Sequence, residues 1–334
     1  MNLVLVSLCL LTLQSAKGSK QQTQNYWVLK PNVIVVDVNL AQAISKVDVP
    51  LRCGDAYGDE DVVWSNNGEQ VGQGNQIVVT VEEMLGGNYS CHSHAGSFLN
   101  HTLVLVQGTE RRILEKSHDT DYIQCSSRNY SGAFQCSWKW SRSRNGDVVL
   151  VRATRSSATS NITCSLDKGG LSITCQDRTH CPYAEETERI NLTLYVKNRY
   201  RVEEYSQRFY ITEIVKPDKI KITKVDKSTF EWGYPETWSS PNSYFPLTFQ
   251  VKVIPRKKNC ECESGCQRNK RVELHTTESC RWTVREGFVF CVRAQDALCN
   301  STWSDWSQYK KRRSMGKKIH SKQNKARKPS TARE

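Results

Sequence analysis

The chain has 334 residues, a net charge of +13, 24% charged and 38% hydrophobic residues, and fourteen cysteines. Length alone suggests two domains, or three if the modules are small β-sandwiches of about 100 residues. Residues 310–334 hold eleven Lys/Arg against the single acid Glu334, so this tail carries +10 and the rest of the chain only +3. That excludes a nucleic-acid-binding globular surface and directs the basic arm toward sulfated glycans or membrane surfaces.

The first eighteen residues contain an apolar run, 3–13, and end in Ala16-Lys17-Gly18, which fits a small-x-small cleavage site. Residues 1–18 are expected to be a signal peptide, with Ser19 as the mature start. No later stretch approaches the roughly 20 apolar residues that span a bilayer, and no anchor signal follows. The expectation is a secreted, extracellular protein, and six Asn-x-Ser/Thr sequons at Asn88, Asn100, Asn129, Asn161, Asn191 and Asn300 agree with it. Cys9 lies in the leader, so thirteen cysteines remain. In an oxidising compartment an odd number leaves a thiol that is free or joined to another chain.

In chain order, residues 26–39 alternate around Val33, Val35 and Val38 and read as one opening strand. Cys53, Trp64 and Tyr89-Ser90-Cys91 then resemble an immunoglobulin domain, with an inter-sheet disulfide, a ring packed on it and a tyrosine corner. The match departs at Leu85, where an acidic residue is usual, and the short interval between cysteines implies a compact domain, 19–107. A second domain, 108–214, holds Cys125 and Cys136, then Cys164 and Cys175, each pair separated by ten residues, followed by Cys181-Pro182. Residues 190–197 alternate as a strand, with Asn191 on its solvent face if its sequon is used. Val215-Lys216-Pro217-Asp218 is the next boundary, where proline stiffens the connection.

The third domain, 215–311, carries Trp232, Pro235 and Trp238, a strand at 247–253, a charged segment at 256–271 and a strand at 287–295 holding Arg293. Trp303-Ser304-Asp305-Trp306-Ser307 follows, and 312–334 is expected to be a disordered basic tail. Two tryptophans three residues apart fall on one face of an extended three-residue-per-turn backbone, where their rings can alternate with guanidinium groups, Arg293 first. Short strands throughout and no useful helical period make the chain all-β.

Little in the chain suggests catalysis: no nucleophile elbow, phosphate-cradling glycine loop or metalloprotease signature is present. We therefore expect no enzyme, no cofactor and no nucleic-acid partner. His92 and His94 share a strand face but line a strand end better than they make a metal site. Cys260, Cys262 and Cys266 have tempting zinc spacing. With Cys280, Cys291 and Cys299 they make six, an even number that favours three disulfides over a metal, in a connectivity that cannot be read from sequence.

Cys125, ten residues, Cys136, one residue, Trp138, with Phe134 two before the second cysteine, together with the later Trp-Ser-Asp-Trp-Ser, resemble the signatures of the class I cytokine receptor family. Asn129-Tyr130-Ser131-Gly132-Ala133-Phe134, Cys181-Pro182-Tyr183-Ala184-Glu185-Glu186, Tyr234-Pro235-Glu236-Thr237-Trp238-Ser239, Ser243-Tyr244-Phe245 and Val292-Arg293-Ala294-Gln295-Asp296 further resemble the interleukin-12 beta-subunit family across all three domains. The resemblance implies an immunoglobulin-like domain followed by two fibronectin type III-like sandwiches. It also implies a receptor-like subunit, disulfide-linked through Cys181 to a four-helix-bundle alpha chain. Cys181 is likewise the thiol left over if one bridge forms in the first domain, two in the second and three in the third.

By the same resemblance Tyr130 and Tyr244 are aromatic partner contacts and Asp296 receives an arginine of the helical chain, a charge-assisted contact shielded from water. Ala297-Leu298 stand where the family presents aromatic material. A glycan on Asn129 would sit beside Tyr130, so this sequon is expected to be unused or its glycan turned away. The first domain is expected to engage a cell-surface cytokine receptor, the 256–271 segment and the tail heparan sulfate, and Cys181 a homodimer. The rival reading is a soluble receptor or decoy that binds a helical cytokine non-covalently; a weaker one is a matrix-binding module.

Overall fold

The structure, a computed structural model, describes residues 25–309 apart from 38–45, 59–60, 83–84, 109, 118–120, 157–160, 256–259, 264, 267–271 and 286–287. The leader, the basic tail and most of the 256–271 segment therefore lie outside the described residues. The chain is all-β and divides into two compact units. One comprises residues up to Ser126 with Gly132–Tyr210, and the other Ser127–Ser131 with the chain from Ile211 onward.

The first unit opens with β1 (Tyr26–Lys30), β2 (Val33–Val36), β3 (Lys46–Arg52), β4 (Val62–Asn66), β5 (Glu69–Gln73), β6 (Gln76–Glu82), β7 (Gly87–Ser93) and β8 (Phe98–Gln107). It continues with β9 (Gln124–Ser126), β10 (Ala133–Ser137), β11 (Asp147–Thr154), β12 (Ile162–Leu166), β13 (Ser172–Asp177), β14 (Ile190–Asn198) and β15 (Arg201–Phe209). The single opening strand expected over 26–39 is instead a hairpin. Pro31 supplies no N–H and Asn32 turns with φ 61°, so β1 folds back antiparallel on β2. β2 then runs parallel to β8.

Strict alternation in β3 buries Val47, Val49 and Leu51 and leaves Lys46, Asp48, Pro50 and Arg52 outside. Paired side by side with Val79 and Val81 of β6, they pack in one core with Trp64, which is fully buried beside the Cys53–Cys91 disulfide and donates its indole N–H to Gly74 O at 3.0 Å. The second half of the unit buries Phe134 edge-on against Phe209 at 5.4 Å, with Trp138 Nε1 on Gly170 O. Its disulfides, Cys125–Cys136 and Cys164–Cys175, bridge directly opposed residues of adjacent strands.

One sheet, β11-β14-β15-β8-β7-β4-β5, runs through both halves, because β15 lies parallel to β8 at Arg201↔Val106 and Val202↔Gln107. A continuous apolar seam accompanies it: Leu29, Val33, Val35 and Leu105 pack with Val149, Tyr195 and Val202. Beside the seam Glu203 is fully buried. Its carboxylate accepts the N–H groups of Arg112 (2.7 Å) and Ile113 (2.8 Å), the Tyr205 hydroxyl and Arg201 Nε (2.6 Å). Burial pushes its pKa up, but these hydrogen bonds outweigh it and hold the group below the usual glutamate value.

The second unit contains one helical turn, α1 (Ile211–Ile214), then β16 (Ile222–Lys224), β17 (Thr229–Trp232), β18 (Leu247–Pro255), β19 (Cys260–Glu261), β20 (Gly265–Cys266), β21 (Glu273–Thr277), β22 (Arg281–Thr283), β23 (Phe288–Asp296) and β24 (Ser307–Gln308). A β16-β17-β22 sheet faces a β21-β18-β23-β24 sheet. Between them Phe230 stacks on Phe290 at 4.6 Å and Trp232 meets Phe249 edge-on. The expectation of three bridges among the last six cysteines is corrected here. Cys262 pairs with Cys291, but Cys280 and Cys299 are free thiols. The two are held in different surroundings: Cys280 lies at the entry to β22, where its carbonyl receives Trp232 N–H, and Cys299 in the turn after β23. An even count does not ensure that every pair is within bonding reach.

Candidate partner-binding site

The Arg293 guanidinium carbon lies 4.8 Å from the Trp303 ring centroid and 4.5 Å from that of Trp306, and Lys252 Nζ sits 5.3 Å from Trp306. Gln250 Oε1 accepts Arg293 Nε at 2.9 Å and fixes the plane of the fork. Ser304 ties the segment of tryptophans to β23: its N–H donates to Ala294 O, and its Oγ accepts Ala294 N–H. Burial depresses the pKa of Arg293, as expected for a cation held between rings rather than in water. The ladder thus packs along β23, whose last residue is Asp296.

Asp296 is 4% exposed. Its Oδ1 accepts the N–H groups of Leu298 (2.7 Å) and Cys299 (3.0 Å), and its Oδ2 accepts the Tyr130 hydroxyl at 2.9 Å. Tyr130 belongs to the 127–131 loop, whose N–H groups are anchored on this same unit: Tyr130 N donates to Ser239 Oγ and Ser127 N to Ile214 O. The Tyr130 ring stacks on Phe245 at 5.2 Å and meets Trp238 edge-on at 5.8 Å. Burial, then the contacts with Cys299 and Asp296, raise the tyrosine pKa far above its ordinary value, so the hydroxyl stays protonated and donates. Cys299 Sγ lies 3.2 Å from that hydroxyl, and burial pushes its thiol up to about 11.

The sequence-derived contacts fall into two kinds. Tyr244 is 46% exposed and leans edge-on against Phe245, and Leu298 is 76% exposed at the turn following Asp296. Tyr130, by contrast, is only 7% exposed, so it supports Asp296 more than it offers a surface. Asn129 Nδ2, the atom a glycan would take, donates to Thr237 O at 2.7 Å. Sequence reasoning missed Phe245, Trp238 and Cys299 as members of this cluster. The signal available was the aromatic pair Tyr244-Phe245 and the run ending in Trp238-Ser239.

Cys181 belongs to the first unit, where it is exposed and forms no disulfide within the chain. It lies on the strandless segment 178–189 between β13 and β14. Asn88, Asn161 and Asn300 are exposed and Asn191 half-buried, while Asn100 has its amide nitrogen turned onto Cys53 O at 2.7 Å.

A disulfide-pinned immunoglobulin-like sandwich, fibronectin type III-like sandwiches after it, and a tryptophan–arginine ladder define an all-β chain of cytokine-receptor type. Residues 120–198 match the family model described as the cytokine interleukin-12p40 C-terminus. The chain is 32% identical over 310 residues to the interleukin-12 subunit beta of Sigmodon hispidus, covering 84% of this chain and 91% of that one. It is 31% identical to that of Mesocricetus auratus and 28% to that of Homo sapiens, with similar coverage. The chain belongs to the interleukin-12 beta-subunit family.

Proposed function

We propose that this chain is the secreted, receptor-like subunit of a heterodimeric cytokine, disulfide-linked through Cys181 to a four-helix-bundle alpha chain that it presents to cell-surface receptors. The observation that carries the reading is Asp296. It is a buried carboxylate with three neutral donors and, among the described residues, no ion pair from its own chain. A buried carboxylate is costly unless a cation approaches it, and an arginine from a partner supplies that cation. Oδ1 already accepts two backbone N–H groups, so the arginine meets Oδ2. Exposed Tyr244 and Leu298 supply apolar cover for that contact.

The test is co-expression with helical alpha chains, followed by reducing and non-reducing gels of wild type, Cys181→Ser and Asp296→Ala. A reducible heterodimer, lost as a covalent species in Cys181→Ser and weakened as a complex in Asp296→Ala, supports the reading. A chain that stays monomeric with every candidate returns it to the soluble-receptor class.

A further inference from the structure

Arg155 is an arginine that the partner-binding site does not use. It follows β11, and its side chain is 9% exposed. Its Nε donates to Asp177 Oδ2 at 2.7 Å, its Nη2 to Glu186 Oε1 at 2.9 Å, and its Nη1 to the carbonyl of Glu188. Asp177 closes β13, while Glu186 and Glu188 sit near the far end of segment 178–189. A single guanidinium therefore pins both ends of the segment that carries Cys181. His180, with its side chain 3% exposed, fills the inside of the segment at 3.5 Å from Nη2 and 3.6 Å from Glu186 Oε1. Asp177 Oδ1 caps the turn by accepting both the N–H and the hydroxyl of Thr179. With Asp177, His180 and Glu186 held inward, Cys181 is left outward and exposed.

A disulfide needs Cβ atoms about 3.5–4.5 Å apart and a restricted torsion, so a thiol on a strandless segment reacts efficiently only where that segment is ordered beforehand. We propose that Arg155 is the positioning residue for the interchain bond, clamping 178–189 so that Cys181 is presented in one place. The inference rests on the covalent-subunit reading. In the bond-forming step the two thiols lose two protons and two electrons, and a disulfide oxidant, such as oxidised glutathione, gains them and leaves as two thiols. Arg155 takes no part in that exchange and acts only through the segment. Lysine cannot reproduce a fork that reaches three acceptors, so the clamp is specific to arginine.

The test uses the full chain in two measurements. Amide hydrogen exchange of the chain alone reads the clamp, and the rate of reducible-heterodimer formation with the alpha chain in a glutathione buffer reads its consequence. In Arg155→Gln, exchange across 178–189 should rise about tenfold or more, as expected for the loss of charge-assisted hydrogen bonds, with β3, β4 and β7 unchanged. Covalent coupling should slow by a similar factor while non-covalent association is retained. Arg155→Lys should fall between the two. Glu186→Gln, which weakens one arm only, should show a smaller change in the same direction and covers the case in which Arg155→Gln does not fold. Unchanged exchange in the folded variants, or coupling at the wild-type rate despite faster exchange, overturns the clamp. A wild-type chain that forms no reducible heterodimer overturns the covalent reading on which the clamp rests, and the exchange measurement distinguishes that failure from the first.

Discussion

The Tyr130 hydroxyl donates to Asp296 Oδ2 across 166 residues of sequence, and the tyrosine ring making this bond is itself stacked on Phe245. Tyr130→Phe keeps the stacking and removes the donor, leaving one buried carboxylate oxygen unsatisfied. We expect a loss of about 1–3 kcal/mol in the second unit, read by thermal unfolding. A variant as stable as wild type would mean that water replaces the hydroxyl.

Arg293 sits over two indole rings with Gln250 orienting its fork. Arg293→Ala removes both ring contacts, at about 0.5–2 kcal/mol each. The β23 strand should loosen, with faster amide exchange at Ala294 and Asp296 than at Val251 of the neighbouring strand. Equal rates would show that the ladder does not brace β23.

Thiol accessibility should separate Cys181, Cys280 and Cys299, the three free cysteines among the described residues. Cys181 is exposed, whereas Cys299 is half-buried with its pKa pushed up to about 11, and burial raises Cys280 as well. At neutral pH a maleimide should label Cys181 rapidly and the other two slowly, since the thiolate is the reactive form. In denaturant without reductant all three should label. Failure of Cys280 or Cys299 to label in denaturant would show that the thiol is bonded.

Glu203 gives a pH dependence with a definite sign. Its pKa in the fold lies below that of the unfolded chain, about 4.3, so its contribution is fully present above that value and is lost as pH falls through the folded one. Glu203→Gln should therefore cost most near neutrality, about 3–5 kcal/mol as for the removal of one partner from a buried charged network. The gap to wild type should close under acid conditions. Chemical unfolding at a series of pH values reads it; a gap that widens toward acid would reverse the assignment.

Glycopeptide mapping should find high occupancy at the exposed Asn88, Asn161 and Asn300. It should find little at Asn129 and Asn100, whose amide nitrogens donate to Thr237 O and Cys53 O. Full occupancy at Asn129 alongside normal heterodimer formation would require its glycan to project away from Tyr130.

Much of the fold was legible because period-two alternation is a local property. Val47, Val49 and Leu51 announce β3, and the Cys53, Trp64, Cys91 spacing announces the sandwich they line. The hairpin at Pro31-Asn32 was less legible, since β1 and β2 keep the apolar content of one strand and only a single proline marks the break. Burial of Tyr130 was out of reach because the residues covering it, Trp238 and Phe245, lie over a hundred positions downstream. Cysteine parity misled for a different reason: it counts thiols without their positions, and among the described residues Cys280 and Cys299 are free. The Arg155 clamp gave no sign at all, because a lone arginine after a strand ordinarily reads as surface.

The parallel join of β15 to β8 bears on how this chain can be cut and recombined. A fragment beginning after Gln107 would uncover Val149, Tyr195 and Val202, and one ending there would uncover Leu29, Val35 and Leu105. Each would carry a greasy edge beside an open β-strand, the arrangement that templates aggregation. Exchanging parts among relatives should accordingly treat everything up to Tyr210 as one cassette, with the five residues Ser127–Ser131 travelling with the C-terminal part.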